Sequence, residues 1–157
     1  QIGNFQPGHE IKNFNFQNRF SIAPLICYEV LHSDLVRKFI RQEGDLIANL
    51  TNDKWFGKTQ ATYQHLWLLY PRVIENRVPL IRATNSGSSA VIDQTGTFLA
   101  GPTGIYKKET LAVKVPVVKR IFGLYTYLGE APLYLILFYI LWLIYRNRKQ
   151  KIVPSLS

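Results

Sequence analysis

Cys27 is the only cysteine of the chain and the residue best suited to covalent chemistry. It follows an apolar run, Phe20 to Ile26, that predicts a buried strand, so the thiol falls where this strand meets the next turn. Nucleophiles are often held at such strand ends, because the sheet fixes the side chain while the turn leaves it accessible. A free cysteine is also a common buried apolar residue, and this stretch alone leaves both interpretations open.

The neighbourhood of this cysteine is compatible with acyl transfer through a thioester. A thiol with an ordinary pKa of about 8.5 needs a base or a nearby positive charge to react quickly at neutral pH. A carboxylate would accept its proton, and a lysine would favour the thiolate. The backbone N–H of Tyr28, directly after the cysteine, is suited to donate to the oxyanion that forms during acyl transfer.

The elements that follow predict how the cysteine is positioned. Apolar residues recur at helical spacing over residues 33–43, and residues 45–51 predict a second short buried strand. Strand, helix and strand in this order indicate a βαβ unit of an α/β sheet. Ligands of such sheets bind outside the carboxyl ends of the strands, so Cys27 and the loop over residues 52–58 are expected to lie together.

Two large aromatic residues, Trp55 and Phe56, stand in this polar loop. We expect one of them to fold back into the core and the other to face a substrate. A helix is predicted over residues 59–77, kinked or split by Pro71, and it carries His65. We expect this histidine to pack or form hydrogen bonds, because no second metal ligand stands four residues away, and we predict no metal site.

The remaining pattern predicts further strands over residues 78–85, 88–92, 98–100 and 110–115. Between the first two lies the tight turn Asn85-Ser86-Gly87. Asn85 either holds neighbouring loops by hydrogen bonds or serves only as a turn residue, and the sequence leaves both possibilities open.

The composition limits the classes of protein to consider. The 157 residues suffice for one domain, and a single cysteine excludes an internal disulfide and a cysteine-rich zinc site. The net charge of +9 permits a nucleic-acid partner, but the basic residues are scattered and no aromatic-basic stripe accompanies them. The chain contains no methionine, so we expect it to be part of a longer protein.

A long apolar segment lies near the end of the chain. Residues 131–145 are continuously apolar, and extending them back to Leu124 gives the length of a full membrane span. A basic cluster follows directly, at Arg146, Arg148, Lys149 and Lys151. We therefore predict a connector over residues 121–130, a transmembrane helix over residues 124–145 and a basic cytoplasmic tail over residues 146–157. The alternative is a buried amphipathic helix.

Four short motifs, in this order and spacing, resemble those of the carbon–nitrogen hydrolase (nitrilase) superfamily. They are Ile26-Cys27-Tyr28-Glu29, Asn52-Asp53-Lys54-Trp55-Phe56-Gly57, Arg72-x-x-Glu75-Asn76-Arg77-x-Pro79 and Arg82-Ala83-Thr84-Asn85-Ser86-Gly87. The resemblance implies an α/β fold, a four-layer α-β-β-α sandwich, of which residues 1–120 would form the C-terminal part.

The resemblance also implies catalysis by a glutamate, a lysine and a cysteine. Cys27 matches the nucleophile, and the other two residues are expected upstream of Gln1, so we expect the chain to be inactive alone. Glu29 would then support the site, although it could equally pair with an arginine such as Arg82. The substrate-binding candidates are Trp55, Phe56 and Asn85.

With an apolar segment directly after the domain, the chain is most similar to the membrane-bound acyltransferases of this superfamily. That similarity implies a phospholipid acyl donor, a diacylated lipoprotein as acceptor and no cofactor. It also implies a multi-pass protein of the bacterial inner membrane with a periplasmic catalytic domain. The oligomeric state stays open. The alternatives are a hydrolase of a small amide and a non-catalytic, membrane-anchored binding domain.

Overall fold

The computed structural model describes residues 8–117 and 123–152 and contains one six-stranded sheet whose strands follow the order of the chain. The strands are β1 (Phe14–Phe16), β2 (Phe20–Ile26), β3 (Leu46–Thr51), β4 (Leu80–Thr84), β5 (Ala90–Ile92) and β6 (Phe98–Ala100). The helices are α1 (Ser33–Arg41), α2 (Ala61–Asn76), α3 (Leu124–Leu128) and α4 (Ala131–Ile152). Strands β2, β3 and β4 are parallel, whereas the outer strands are antiparallel to their neighbours.

The helices α1 and α2 connect the parallel strands and bury one face of the sheet. Alternate strand residues point to this face, as the period of a strand requires. Together with apolar residues of both helices they form one core. Its buried members are Ala23, Leu25, Val30, Val36, Phe39, Ile40, Ile47, Leu66, Leu69, Val73, Val78, Leu80, Ala90 and Ile92.

The opposite face of the sheet is less covered and still apolar. Ile26 and Leu50 are direct neighbours on β2 and β3, and more than half of each side chain is exposed. Phe14 and Phe16 of the edge strand are exposed as well. The described residues thus form one sheet and one helical layer, which are two of the four layers of the expected sandwich.

Most of the strands and helices predicted before residue 101 are confirmed. Pro71 lies inside the uninterrupted helix α2 and does not split it. The strand predicted over residues 110–115 is wrong, because this segment has no strand pairing in the structure. The segment does not join the sheet, although the side chain of Leu111 lies near Gly101.

In the structure, residues 124–145, for which one transmembrane helix is predicted, are divided between two helices. Gly129 adopts a φ of 52° and its N–H bonds to the carbonyl of Tyr125, so α3 ends there and α4 begins anew at residue 131. Thr126 of α3 is buried, with its hydroxyl 3.4 Å from the side-chain oxygen of Asn76. None of the helices described here combines the length and the apolarity that crossing a membrane requires.

Helix α4 also continues past the predicted boundary at residue 145 and takes in the basic residues up to 152. Its apolar side chains between Leu133 and Tyr145 are largely exposed. Residues 121–122 of the predicted connector and 153–157 of the predicted tail lie outside the described residues. The periplasmic position of the domain and the cytoplasmic position of the tail stay predictions.

The core makes a first prediction, on two neighbouring leucines of α2. Leu69 is fully buried whereas more than half of Leu68 is exposed. Leu69→Ala should lower the free energy of unfolding by about 2–5 kcal/mol, because it removes buried methyl groups and leaves a cavity. Leu68→Ala, the matched control, should change it by less than about 0.5 kcal/mol. Denaturant unfolding measures both, and equal losses would contradict the described packing of α2.

Candidate active site

Cys27 lies at the carboxyl end of β2, where the chain turns into a short 3₁₀ helix, Cys27–Leu31. It is half-buried and has a φ of 51°, in the left-handed region that side chains other than glycine rarely adopt. Such a conformation costs roughly 1–2 kcal/mol, so the surrounding contacts must hold it. The structure therefore places the only thiol at an accessible strand end rather than among aliphatic core residues.

Glu29 closes the turn around the cysteine from one side. Its carboxylate accepts a hydrogen bond from the backbone N–H of Ile26 at 2.7 Å. The carboxylate therefore ties the end of the strand to the first turn of the 3₁₀ helix. The alternative in which Glu29 pairs with Arg82 is wrong, because the arginine is bound to a different carboxylate.

Asn49 holds the same turn from the other side. Its Nδ2 donates to the carbonyl of Cys27 at 3.1 Å and to that of Leu25 at 3.2 Å. Asn49 is fully buried in the central strand β3, directly opposite Leu25 in the register. The amide thus bridges the end of β2 from within the sheet.

The buried guanidinium of Arg82 lies next to this amide. Its Nη1 donates to Oδ1 of Asn49 at 2.6 Å, and its Nη2 donates to Oδ2 of Asp53 at 2.7 Å. Burial lowers the pKa of Arg82, and the charge and hydrogen bond of Asp53 act in the opposite direction. An unpaired buried charge is costly, so the pair is the arrangement that lets Arg82 lie beneath the helical layer.

Asp53 begins the loop after β3 and receives several donors. Its Oδ1 lies 2.9 Å from Nδ1 of His65 and accepts from the hydroxyl of Thr51 at 3.2 Å. Burial raises the pKa of Asp53, but the hydrogen bond from His65 and the charge of Arg82 outweigh it and keep the pKa below the ordinary 3.8. Gly87, in the loop after β4, approaches so closely that an added Cβ would collide with this carboxylate.

Aromatic rings connect this buried cluster to the surface near the thiol. The ring of Tyr28 stacks on His65 with 4.7 Å between centroids, and Phe56 meets His65 edge-on at 5.7 Å. Trp55 is 81% exposed. Phe56 is thus half-buried against His65 and Tyr28 rather than in the apolar core, and Trp55 faces outward.

The structure brings the predicted site residues to one edge of the sheet. Cys27 follows β2, the loop with Trp55 follows β3 and Asn85 follows β4, and these three strands are parallel. Asn85 is exposed, and its side chain accepts a hydrogen bond only 3.1 Å away, from the neighbouring Ser86. Its geometry is that of a turn residue.

Sequence reasoning missed the parts that Asn49, Asp53 and Arg82 play. The available signal was their position, because Asn49 and Arg82 are polar residues at core-facing positions of otherwise apolar strands. The buried charge of Arg82 needs a partner, which is Asp53, 29 positions away in the chain. No local sequence pattern indicates a pairing over this separation. His65 is a buried hydrogen-bonding residue, as expected.

The amino ends of the parallel strands carry polar side chains as well, and the backbone N–H of Ser21 donates to the carboxylate of Asp45 at 2.9 Å. A polar groove of about 440 Å³ lies there, lined among others by Asn13, Ser21 and Asp45. Cys27 is at the opposite edge. Across residues 8–117 and 123–152, no three His, Cys, Asp or Glu side chains are grouped so that they could hold a metal ion.

The fold and the strand-end thiol define an α/β protein whose chemically capable residues meet at the carboxyl ends of parallel strands. Residues 5–119 match the family model described as carbon-nitrogen hydrolase. Because this match covers most of the chain, the protein belongs to the carbon-nitrogen hydrolase family.

Similar proteins narrow the comparison further. The chain is 38% identical over 110 residues to an apolipoprotein N-acyltransferase of Geobacter metallireducens, and 42% identical over 125 residues to that of Photobacterium profundum. The alignments cover 70% and 78% of this chain but only 21% and 23% of these relatives. A solved carbon-nitrogen hydrolase of Helicobacter pylori shares the fold, with a TM-score of 0.61 at 17% identity over 72% of this chain and 46% of that one.

The ion pair makes a prediction with a defined pH dependence. Asp53→Asn should lower the free energy of unfolding at neutral pH by about 3–5 kcal/mol, because it leaves Arg82 buried without a counter-charge. Since the pKa of Asp53 is lowered in the folded state, its contribution is present above its ordinary pKa of 3.8 and is lost as the pH falls through the folded value. Denaturant unfolding from pH 7 to pH 2 should show this loss in the wild type and not in Asp53→Asn.

The matched control is the ion pair of Asp34 and Arg37, whose atoms lie 2.9 Å apart and whose carboxylate is exposed. Asp34→Asn should cost less than about 1 kcal/mol, because water screens an exposed carboxylate. If the two substitutions cost the same, the pairing of Arg82 would not be the buried interaction described above.

Proposed function

We propose that this chain is the thiol-bearing part of an N-acyltransferase of lipoproteins. The reaction would move a fatty acyl chain from a membrane phospholipid to the N-terminal amine of a diacylglyceryl-cysteine. The observation that carries the proposal is Cys27 at its strand end, within a chain that resembles two proteins named apolipoprotein N-acyltransferase.

The two half-reactions follow from the chemistry of a thiol. In the first, the thiolate of Cys27 attacks the ester carbonyl of the phospholipid, a carbon–sulfur bond forms and the alcohol of the lysophospholipid leaves with a proton. In the second, the amine attacks the thioester, so a carbon–nitrogen bond forms and the thiol is released. A thioester suits this exchange because it is reactive toward amines and has a good leaving group.

Tyr28 supplies the oxyanion donor through its backbone in this proposal. The residue lies in the first turn of the 3₁₀ helix, where no preceding helical carbonyl is available to accept its N–H. Glu29 supports the site by holding the N–H of Ile26. The general base and the cationic partner of the thiol are the glutamate and lysine expected upstream of Gln1.

Contact with the bilayer is assigned to α4. Its apolar side chains from Leu133 to Tyr145 are exposed on all sides, which is unfavourable in water and favourable against lipid. Arg146 and Arg148 follow on the same helix and suit an anionic membrane surface. This arrangement supports a location at the bacterial inner membrane.

The substrate would reach the thiol along the loops at the carboxyl edge of the sheet. Trp55 is exposed there, and half of Tyr28 is exposed beside the cysteine. The ring of Phe56 packs edge-on against that of Tyr28, with 6.3 Å between their centroids. We assign Trp55 to the acyl chain or the lipidated peptide, and Asn85 to the rim of the same edge.

Substitution of the thiol tests the proposed function directly. In the full-length protein, Cys27→Ser should abolish acyl transfer, because a serine hydroxyl lacks the readily formed thiolate. Mass spectrometry of the wild type incubated with phospholipid should show a fatty-acyl adduct on Cys27, and the variant should show none. Transfer that survives Cys27→Ser would remove the proposed role of this residue.

The acceptor separates transfer from hydrolysis. Given phospholipid and a diacylated peptide, the enzyme should produce a peptide whose N-terminal amine carries a third acyl chain. Release of free fatty acid with an unchanged peptide amine would indicate a hydrolase instead. A chain that binds the peptide and forms no adduct would be a binding domain.

The exposed tryptophan makes a third prediction of this subsection. Trp55→Ala should raise KM for the acyl substrates by about tenfold without changing the temperature of unfolding, because the few residues that contribute most to binding are enriched in tryptophan and tenfold corresponds to about 1.4 kcal/mol. Trp67→Ala is the control. Trp67 packs against Tyr70 and Phe98 at 5.9 Å, so its loss should lower stability and leave KM unchanged. Equal effects on KM would contradict the assignment.

A further inference from the structure

A row of three residues leads from the buried charge to the thiol-bearing turn. Leu25, Asn49 and Arg82 are direct partners in the register of β2, β3 and β4. Asn49 donates toward β2, to the carbonyls of Leu25 and Cys27, and accepts from Arg82 on β4. Neither Asn49 nor Arg82 is accessible to a substrate, since both are almost completely buried.

The guanidinium determines which way the amide of Asn49 points. A side-chain amide carries an acceptor on one side and donors on the other, and the two orientations differ little in shape. Arg82 only donates, so Oδ1 of Asn49 must face it and Nδ2 must face β2. Asp53 fixes the guanidinium in turn through its second terminal nitrogen.

Holding the carbonyl of Cys27 also aims the N–H of Tyr28. Both groups belong to one planar peptide unit, and in a trans peptide they point in opposite directions. With the carbonyl bound by Asn49 at 3.1 Å, the N–H of Tyr28 is directed away from the sheet interior. The same bond stabilises the left-handed conformation of Cys27.

We propose that Asn49 and Arg82 are positioning residues of the acyl-transfer site. Arg82 orients the amide of Asn49, and Asn49 fixes the peptide plane between Cys27 and Tyr28, which carries the oxyanion donor. This inference rests on the proposed function for the use of that donor. It adds to the family motif a residue, Asn49, that lies between the motifs and contacts no substrate.

The test compares a reaction that develops an oxyanion with one that does not. In the full-length protein, 4-nitrophenyl butyrate acylates the thiol through a tetrahedral oxyanion, and nitrophenolate is released as a burst. Iodoacetamide alkylates the same thiol by direct displacement of iodide, without an oxyanion. A misdirected N–H of Tyr28 therefore slows the first reaction and spares the second.

Asn49→Ala should lower the burst rate by about tenfold to a hundredfold at saturating ester and leave KM unchanged, because a misdirected donor costs less than a removed one, whose loss costs about a hundredfold to a thousandfold. Its alkylation rate should stay within about threefold of the wild type, since no oxyanion is involved. Asn76→Ala removes another buried amide, which bonds to the carbonyl of Arg72 and ends α2, at the opposite end of the parallel strands from Cys27. This control should keep both rates.

Arg82→Lys is the second variant, and it keeps the proposal testable if Asn49→Ala does not fold. A lysine retains the charge opposite Asp53 but offers one nitrogen instead of a fork, so the orientation of Asn49 loosens. The burst rate should again fall more than the alkylation rate. Circular dichroism and thermal unfolding identify the variants that are folded.

The proposal would be overturned by a burst rate in Asn49→Ala equal to that of Asn76→Ala, or by an equal fall of both reactions in Asn49→Ala. A wild type that is alkylated but gives no burst would overturn it as well. A wild type that reacts with the ester and not with phospholipid would instead refute the proposed acyl donor, and the comparison of variants would still decide the role of Asn49.

Discussion

The site depends on one buried ion pair, between Arg82 of β4 and Asp53 of the loop after β3. Both side chains are almost completely withdrawn from water, and the atoms that join them lie 2.7 Å apart. A charge in this position is tolerable only when it is paired and hydrogen-bonded. The pair also bonds to Asn49 through Nη1 of Arg82 and to His65 through Oδ1 of Asp53, and these two residues contact the segment that carries the thiol.

The ion pair of Arg82 and Asp53 contacts two further residues, Asn49 and His65. Through Asn49 it reaches the end of β2 and holds the carbonyl of Cys27. Asp53 also contacts His65 of α2, and the ring of this histidine stacks on the ring of Tyr28. One ion pair thus helps to position both Cys27 and Tyr28. The sheet and its apolar core form the rigid structure around them.

The sequence allowed the βαβ unit, its helices and the strand-end position of Cys27 to be predicted, because these depend on local periodicity and turn residues. It also allowed the loop with Trp55 to be placed beside the cysteine, since parallel strands bring their carboxyl ends together. The polar network was not predictable in this way. Its partners come from three strands, a loop and a helix, and a pairing across such distances has no periodic signature.

The division of residues 124–145 between two helices has a different physical cause. Hydropathy alone favoured one long apolar helix, but Gly129 breaks the helix and Thr126 is buried beside α2. Tertiary contacts thus decided where the helix begins. The strand expected over residues 110–115 failed for a related reason, because alternation describes an extended chain and does not supply a partner strand.

The contact of Gly87 with Asp53 links two loops that are separate in the chain. Any side chain at position 87 would displace the carboxylate of Asp53. Arg82 would then be buried without a counter-charge, as it would be after loss of Asp53 itself. A change of sequence at position 87 in the loop after β4 therefore requires a compensating change at Asp53 in the loop after β3. Substitutions in these two loops should therefore be tolerated best at exposed positions such as Trp55 and Asn85.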